Sequence, residues 1–144
     1  MTSQPIQPFH LALPCKDLAS TQAFYCDVLG CSLGRTSETW IDLNLYGHQL
    51  VFHDCGGETL PERHNPVDRH AIPVPHFGIV LTPSSWEALA ARLRGKVNWI
   101  LEPDIRFENT PGEQRTLFFR DPSDYALEFK SFADDRFRFE PFDD

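Results

Sequence analysis

Two histidines and one glutamate stand out as candidate ligands of a metal ion. His10 lies in the segment FHLALP, His76 in HFGIVL and Glu128 in the apolar run ALEF. A carboxylate turned into an apolar interior is strongly unfavourable unless it is paired or bound to a metal. Two imidazole nitrogens and one carboxylate that leave coordination positions open suit Fe(II), Mn(II), Ni(II) or Zn(II). The three residues therefore predict one divalent metal ion in a site that can also accept a substrate.

Each of these residues alone has a simpler interpretation. A single histidine on a strand is more often a structural residue, and a single glutamate on a strand more often faces solvent. The metal hypothesis depends on where the three residues fall in the predicted elements. His10 and His76 lie on the first strands of two similar units, and Glu128 lies on the last strand of the second unit.

The first unit, about residues 6–54, follows the order β-α-β-β-β. Apolar residues recur at helical spacing before Gly30, which predicts a helix that ends in a left-handed residue. The pair Tyr46-Gly47 predicts a turn between the last two strands. The predicted elements are a strand at 6–13, a helix at 17–29 and strands at 32–37, 39–45 and 48–54.

The second unit, about residues 75–130, repeats this order. Trp86, Leu89 and Leu93 share one face of a predicted helix, and Gly95 follows it. The predicted elements are a strand at 75–82, a helix at 83–94 and strands at 97–107, 114–120 and 125–130. Residues 55–74 are polar and predict a linker or loop, and the tail at 131–144 is expected to pack loosely.

The spacing of matched residues indicates an internal duplication. The two histidines are 66 residues apart, and Gly30 and Gly95 are 65 residues apart. The two units share a pattern rather than a sequence. We therefore predict one α+β domain over 1–144, in which two β-α-β-β-β modules pair around a cup-shaped mixed β-sheet with the helices outside.

Composition excludes several classes of function. The chain has 144 residues and a formal net charge of −8, which disfavours binding to nucleic acid. Its apolar runs are too short to cross a membrane, and its first residues do not resemble a signal peptide, so a cytoplasmic location is expected. The four cysteines have no spacing typical of a zinc site.

Several segments resemble the vicinal-oxygen-chelate superfamily, which includes glyoxalase I, bleomycin-resistance proteins, fosfomycin-resistance thiol transferases and type I extradiol dioxygenases. The similarity covers roughly residues 6–132, and the stretch from GRTS to WIDLNLYGHQ is most similar to small extradiol-dioxygenase-like bacterial proteins. The other matching segments are FHLALP, FY, VLGC, HFGI, FFRDP and LEF. The resemblance implies a small-molecule substrate and a homodimer, with each site built from one chain or from two.

The resemblance also bears on the number of metal ligands. Glyoxalase-type isomerases usually add a fourth ligand from the last strand of the first module. Aligning Leu50 with Leu127 places Val51 opposite Glu128, and valine cannot bind a metal, although Gln49 on the same face could do so weakly. Three ligands favour a dioxygenase-like reaction on a catechol-like or vicinal-oxygen molecule, with Fe(II) as the favoured metal.

Other residues are candidates for the chemistry around the metal. Strand alternation places His53 on the face of Val51, and we predict that it is the catalytic acid/base group. Arg35, Arg106 and Arg115 could bind a substrate carboxylate, although solvated ion pairing is the commoner role for such residues.

Two classes of function remain as alternatives. One is a glyoxalase-type isomerase or a fosfomycin-type thiol transferase that uses the same metal ligands. The other is a metal-free ligand-binding protein similar to the bleomycin-resistance branch. Metal content distinguishes the second class from the enzymes.

Overall fold

The computed structural model describes residues 5–67 and 70–143. The chain divides between residues 60 and 61 into two compact units. Within the described ranges, no helix is both long enough and apolar enough to cross a membrane. The elements in chain order are β1 (His10–Cys15), α1 (Leu18–Ala23), a π-helical segment (Phe24–Val28), β2 (Ser32–Thr36), β3 (Trp40–Leu45), β4 (His48–Asp54), β5 (Arg63–Val67), β6 (His70–Val74), β7 (His76–Phe77), α2 (Pro83–Leu93), β8 (Asn98–Arg106), β9 (Gln114–Arg120), β10 (Ala126–Phe132) and a 3-10 helix (Asp135–Arg138).

The first module is a four-stranded mixed sheet with α1 packed against β3 and β4. The strand order is β1-β4-β3-β2, in which β1 and β4 are parallel and the other pairs are antiparallel. Phe52 of β4 and Tyr25 are fully buried, and their ring centroids are 5.0 Å apart. Because side chains alternate along a strand, His10 and Val51 lie on the face of the sheet opposite Phe52.

The second module repeats this arrangement. Its strand order is β7-β10-β9-β8, with β7 parallel to β10. The buried indole of Trp86 on α2 donates a hydrogen bond to the carbonyl oxygen of Phe129 at 3.0 Å, and the Phe129 ring stacks on Phe119. Glu128 therefore lies on the sheet face that α2 does not cover. Two such modules confirm the predicted α+β class.

The first helix lies where it was predicted but changes form along its length. Asp17 caps α1 by accepting a hydrogen bond from the N–H of Ser20 at 2.7 Å. After Ala23 the chain becomes π-helical, and Gly30 then takes a left-handed conformation with φ of 86° as predicted. The apolar pattern does not reveal the π segment, because a spacing of four residues keeps side chains on one side of both an α-helix and a π-helix.

Strand β1 is shifted from its predicted range of 6–13. It begins at His10, where its parallel partner β4 has just begun at His48. The turn at Tyr46 and Gly47 precedes β4, with φ values of 51° and 90°. Residues before Phe9 therefore have no residue of β4 with which to form ladder hydrogen bonds. Pairing with a partner therefore sets the start of β1, which the sequence pattern alone does not determine.

Strand β7 is much shorter than the predicted strand at 75–82, because Gly78 interrupts it. A Cβ atom at position 78 would overlap the carbonyl oxygen of Glu128, so the two backbones are in direct contact. Pairing with β10 resumes when the N–H of Leu81 donates to the carbonyl of Lys130 at 2.7 Å. Only glycine permits this close approach.

The segment at 55–74, predicted as a linker or loop, contains a β-hairpin. Strands β5 and β6 pair in an antiparallel ladder, and residues 68 and 69 between them lie outside the described part of the chain. These strands were not predicted because they contain Pro66 and Pro73, and a proline usually argues against a strand. In a two-stranded sheet each strand has a free edge, where a missing N–H costs little.

The tail at 131–144 was predicted to pack loosely, which is wrong at its start, although most residues from 133 to 143 are exposed. Strand β10 continues to Phe132, which is buried together with Ser131. Farther along, the Phe142 ring contacts Phe107 and Phe137, with centroids 5.3 Å and 5.9 Å away. The charged residues between these phenylalanines made the segment look solvated, although its aromatic side chains are partners for one another.

Candidate metal site

His76 and Glu128 meet on the sheet face of the second module that α2 does not cover. In the parallel β7–β10 ladder His76 pairs with Ala126, so Glu128 lies two residues farther along on the same face. The His76 Nε2 and Glu128 Oε1 atoms are 3.4 Å apart. The structure thus brings together two of the three predicted metal ligands.

The imidazole of His76 is held from its other side. Its Nδ1 lies 2.7 Å from the carbonyl oxygen of Pro73, and its ring meets Phe118 edge to face, with centroids 5.2 Å apart. The hydrogen bond to Glu128 raises the pKa of His76, and the Pro73 contact adds to this effect while burial opposes it. Because a carbonyl oxygen only accepts, Nδ1 carries a proton and Nε2 is the atom directed at Glu128.

Glu128 is a largely buried carboxylate whose side chain is 11% exposed. Thr116 donates a hydrogen bond to Oε2 at 2.6 Å, which leaves Oε1 directed at His76. Burial alone would raise the pKa of Glu128. Hydrogen bonds from His76 and Thr116, with the charge of Lys130, outweigh burial and hold this pKa below its ordinary value. The carboxylate is therefore ionised at neutral pH.

The donor atoms of His76 and Glu128 fit a divalent cation. Imidazole nitrogen and carboxylate oxygen bind such ions at about 2.0–2.2 Å. One ion can therefore contact both Nε2 and Oε1 across their separation of 3.4 Å. Within residues 5–67 and 70–143, no group of three or more His, Cys, Asp or Glu side chains is arranged to hold a metal ion, so His10 belongs to no such group there.

His10 lies on β1 of the first module and is exposed. Its Nδ1 is 2.8 Å from Oε1 of Gln49, its partner in the β1–β4 ladder. The other end of this amide, Nε2, is 3.5 Å from Oδ2 of Asp42, which also pairs with Arg35 at 3.4 Å. These four residues form a chain of polar contacts across one sheet face.

The strand registers confirm the alignment of the two modules. In the first module Leu11 pairs with Leu50, and in the second Phe77 pairs with Leu127. One residue farther along, Val51 occupies the position that Glu128 has in the second module. The first module therefore offers an apolar side chain where the second offers a carboxylate.

The remaining candidates lie in different surroundings. His53 is half-buried on β4, two residues beyond Val51, at the position that Lys130 occupies in the second module. Among the arginines, Arg115 forms an ion pair with Glu87, and the Arg106 guanidinium lies 5.3 Å from the centroid of the Phe107 ring. The Arg115 contact agrees with the simpler interpretation as an ion pair, whereas the Arg106 contact is with an aromatic ring.

Sequence reasoning missed the groups that orient the candidate ligands. Thr116 could have been found from the hairpin between β9 and β10, because the turn at 121–124 fixes the register that brings it near Glu128. The carbonyl of Pro73 has no sequence signal, since every residue carries such a group. The contact between Gln49 and Asp42 depends on which residues of β3 and β4 are paired.

The fold agrees with that of known proteins. A family model described as "Glyoxalase/Bleomycin resistance protein/Dioxygenase superfamily" matches residues 7–129. The chain belongs to this superfamily. A crystal structure of a glyoxalase/bleomycin resistance protein/dioxygenase from Alicyclobacillus acidocaldarius is 33% identical, with a TM-score of 0.75, over 96% of this chain and 100% of that one.

More distant members of the superfamily share the fold alone. The fosfomycin resistance protein FosX from Listeria monocytogenes is 17% identical, with a TM-score of 0.66, over 95% of this chain and 99% of that chain. A lactoylglutathione lyase from Agrobacterium tumefaciens is 19% identical, with a TM-score of 0.62, over 90% of this chain and 96% of that chain. The superfamily therefore contains enzymes, and its name spans more than one activity.

Proposed function

We propose that this protein is a metal-dependent, dioxygenase-like enzyme that acts on a catechol-like or other small molecule with two adjacent oxygen atoms. His10, His76 and Glu128 bind one divalent metal, and Fe(II) is favoured over Mn(II), Zn(II) and Ni(II). The proposal is carried by the His76–Glu128 pair, whose facing nitrogen and oxygen atoms are 3.4 Å apart. When bound, the metal supplies a Lewis acid for the substrate oxygens and, as Fe(II), reactivity toward dioxygen.

The residues around the pair prepare it for this role. Pro73 and Thr116 occupy the outer atoms of the two ligands, which fixes the orientation of His76 Nε2 and Glu128 Oε1. Such partners raise the affinity of a metal site. Val51 at the position equivalent to Glu128 supports a set of three ligands, which leaves more positions for substrate than a set of four does.

His53 is the proposed acid/base group. A catechol-like substrate must lose a proton from a hydroxyl group when its two oxygens bind a cation. An imidazole is suited to accept that proton near neutral pH and to return it later. His53 shares the face of its strand with Val51, which supports this assignment over one for His48 on the opposite face.

The metal content of protein purified without chelators tests the site. We expect near-stoichiometric iron or manganese in the wild type and its loss in His10→Ala, His76→Ala and Glu128→Ala. The control is His70→Ala, which removes an exposed histidine of β6 and should keep the metal. Zinc or nickel would shift the assignment to an isomerase or thiol transferase. No metal after anaerobic Fe(II) reconstitution would contradict the site and leave a metal-free ligand-binding protein.

Oxygen uptake with a panel of catechols tests the reaction. The Fe(II)-loaded protein should consume oxygen faster than free iron does. His53→Gln should lower kcat by about 100-fold or more, the usual contribution of a general acid/base group, while the metal content stays unchanged. A loaded protein with no turnover above the free-iron background would contradict the dioxygenase assignment.

A mixing experiment addresses the assembly. We expect a homodimer, in which the three ligands come from one chain or from two. His10→Ala and Glu128→Ala chains are unfolded together and refolded, and metal content is compared with each variant alone. Recovered metal binding requires ligands from two chains, because only then does a mixed dimer contain an intact site. If the mixed dimer does not recover metal binding, all three ligands come from one chain.

A further inference from the structure

Gln49 links His10 to a buried carboxylate. Its Oε1 is 2.8 Å from His10 Nδ1, and its Nε2 is 3.5 Å from Oδ2 of Asp42. Asp42 is only 8% exposed, and the same Oδ2 atom lies 3.4 Å from Nε of Arg35. The amide of Gln49 therefore lies between the carboxylate that pairs with Arg35 and an imidazole, with one end directed at each.

The chemistry of these groups decides where the proton of His10 lies. An ionised carboxylate only accepts hydrogen bonds, so the NH2 end of the Gln49 amide faces Asp42. The carbonyl end then faces His10, and it also only accepts. Nδ1 of His10 must therefore be the donor. A neutral imidazole carries one N–H, so its Nε2 atom has the lone pair.

We propose that Gln49 is a positioning residue that holds His10 in the Nδ1–H tautomer, so that Nε2 is the atom available to bind a metal. This inference rests on the proposed role of His10 as a ligand. It assigns Gln49 an indirect role, in place of the weak direct ligation that its position also suggests. In the second module the carbonyl of Pro73 acts in the same way on Nδ1 of His76, at 2.7 Å.

Both histidines thus use the same ring nitrogen for their support. One support is a backbone carbonyl and the other is a side-chain amide, so only the second can be removed by substitution. Gln49→Met keeps the length of the side chain and removes both ends of the amide. The matched control is Gln22→Met on α1, outside the β1–β4 face.

The tautomer is measured directly by NMR of the imidazole nitrogens in metal-free protein at a pH where His10 is neutral. We expect the Nδ1–H form of His10 in the wild type and in Gln22→Met. In Gln49→Met we expect a mixture in which the Nε2–H form is substantial. An Nε2–H signal in the wild type, or a tautomer unchanged in Gln49→Met, would overturn the proposal.

Metal affinity, measured by competition with a chelator, provides the second readout. Gln49→Met should weaken binding about 10- to 100-fold, the usual effect of removing a group that orients a ligand. Weaker binding with an unchanged tautomer would instead make Gln49 a ligand, which contradicts the inference. A wild type that binds no metal would defeat the proposed function, whereas the tautomer in metal-free protein would still decide the role of Gln49.

Discussion

At the scale of single residues, the His76–Glu128 pair is defined by what its outer atoms contact. Pro73 accepts from Nδ1 of the histidine, and Thr116 donates to Oε2 of the glutamate. The two atoms left facing each other are a basic nitrogen and an anionic oxygen. Without these supports the two side chains could rotate, and a cation would have to order them when it binds.

Substitution of Thr116 by valine tests the support of Glu128. The side chain keeps its shape and loses the hydroxyl that donates to Oε2 at 2.6 Å. Thr116 is fully buried, so we expect Thr116→Val to lower the free energy of unfolding by about 1–3 kcal/mol at neutral pH. It should also weaken metal binding about 10-fold or more.

Urea denaturation and chelator competition measure these two effects. Thr39→Val, at an exposed position, is the matched control and should change neither quantity. If Thr116→Val matched the wild type in both measurements, the carboxylate of Glu128 would not depend on this hydrogen bond.

The residue types of the site were visible in the sequence, whereas their partners become apparent only when the register of the strands is known. Glu128 could be singled out because it interrupts an apolar strand, and His76 because the duplication gives it a counterpart. Thr116 and Asp42 have no such mark, since a threonine or an aspartate on a strand is unremarkable until its cross-strand neighbours are known. Register, rather than residue type, determines their roles.

At the scale of elements, the approach of β7 to β10 positions the pair. The backbone at Gly78, two residues after His76, lies against the carbonyl group of Glu128 on β10. A side chain at this position would push the two strands apart. The glycine therefore contributes to the site through the spacing of the backbones, although it has no functional group.

Gly78→Ala should destabilise the protein far more than the same substitution at a glycine that has open space around it. We expect Gly78→Ala to destabilise the protein by about 3 kcal/mol or more, because the new methyl group meets backbone that cannot move easily. The control is Gly95→Ala, which has a φ of 74° and no neighbouring atom within 4 Å. The control substitution should lower the free energy of unfolding by only about 1–2 kcal/mol, because alanine is unfavourable in the left-handed conformation of this residue. Equal thermal shifts for the two variants would contradict the close approach.

The hairpin of β5 and β6 is tied to β9 by an ion pair. Glu62, just before β5, binds Arg120 through both carboxylate oxygens, and the contact of Oε2 with Nη2 is 3.1 Å. The hydrogen bond to Arg120 is the main reason that the pKa of Glu62 lies below its ordinary value. This pair joins the segment that carries the Pro73 carbonyl to the sheet that carries Glu128.

The lowered pKa of Glu62 gives its contribution to stability a defined pH dependence. Because the folded-state pKa is below the unfolded value, the contribution is complete above the unfolded value and is lost as pH falls through the folded value. Glu62→Gln should therefore be less stable than the wild type by about 1 kcal/mol near neutral pH. The difference should vanish in acid, well below about pH 4, the ordinary range of a glutamate.

Urea titrations at several pH values measure this difference, with Glu58→Gln as an exposed control that should show no such trend. A difference that stayed constant between neutral and acidic pH would mean that the charge of Glu62 does not stabilise the fold.

Elements with a regular apolar period were predictable, and those that depend on partners were not. Helix α2 matches its predicted range to within a residue, and β9 matches it at both ends. Asp124 takes the left-handed conformation that its turn requires, with φ of 64°. The hairpin with Pro66 and Pro73 could not be predicted, since its strands depend on having a free edge.

At the scale of the whole molecule, the two modules share a topology and differ in chemistry. The registers place Val51 and Glu128 at equivalent points, and likewise His53 and Lys130. In the proposed site, the second module would contribute a carboxylate and a histidine, whereas the first would contribute a histidine supported by an amide. The proposed set of ligands is therefore asymmetric, although the two modules repeat one pattern.

This asymmetry predicts how a bound metal affects the stability of the protein. If one ion is bound by His10 together with His76 and Glu128, residues of both modules gain stability when it binds. At a free metal concentration about 100 times the Kd, the gain is about 2.7 kcal/mol. Hydrogen exchange should then slow for amides of β1 and β4 as well as for those of β7 and β10. In His10→Ala the metal should bind more weakly, and any remaining protection should be confined to β7 and β10. Protection limited to β7 and β10 in the wild type would show that the metal does not involve His10, and the predicted set of three ligands would reduce to the pair in the second module.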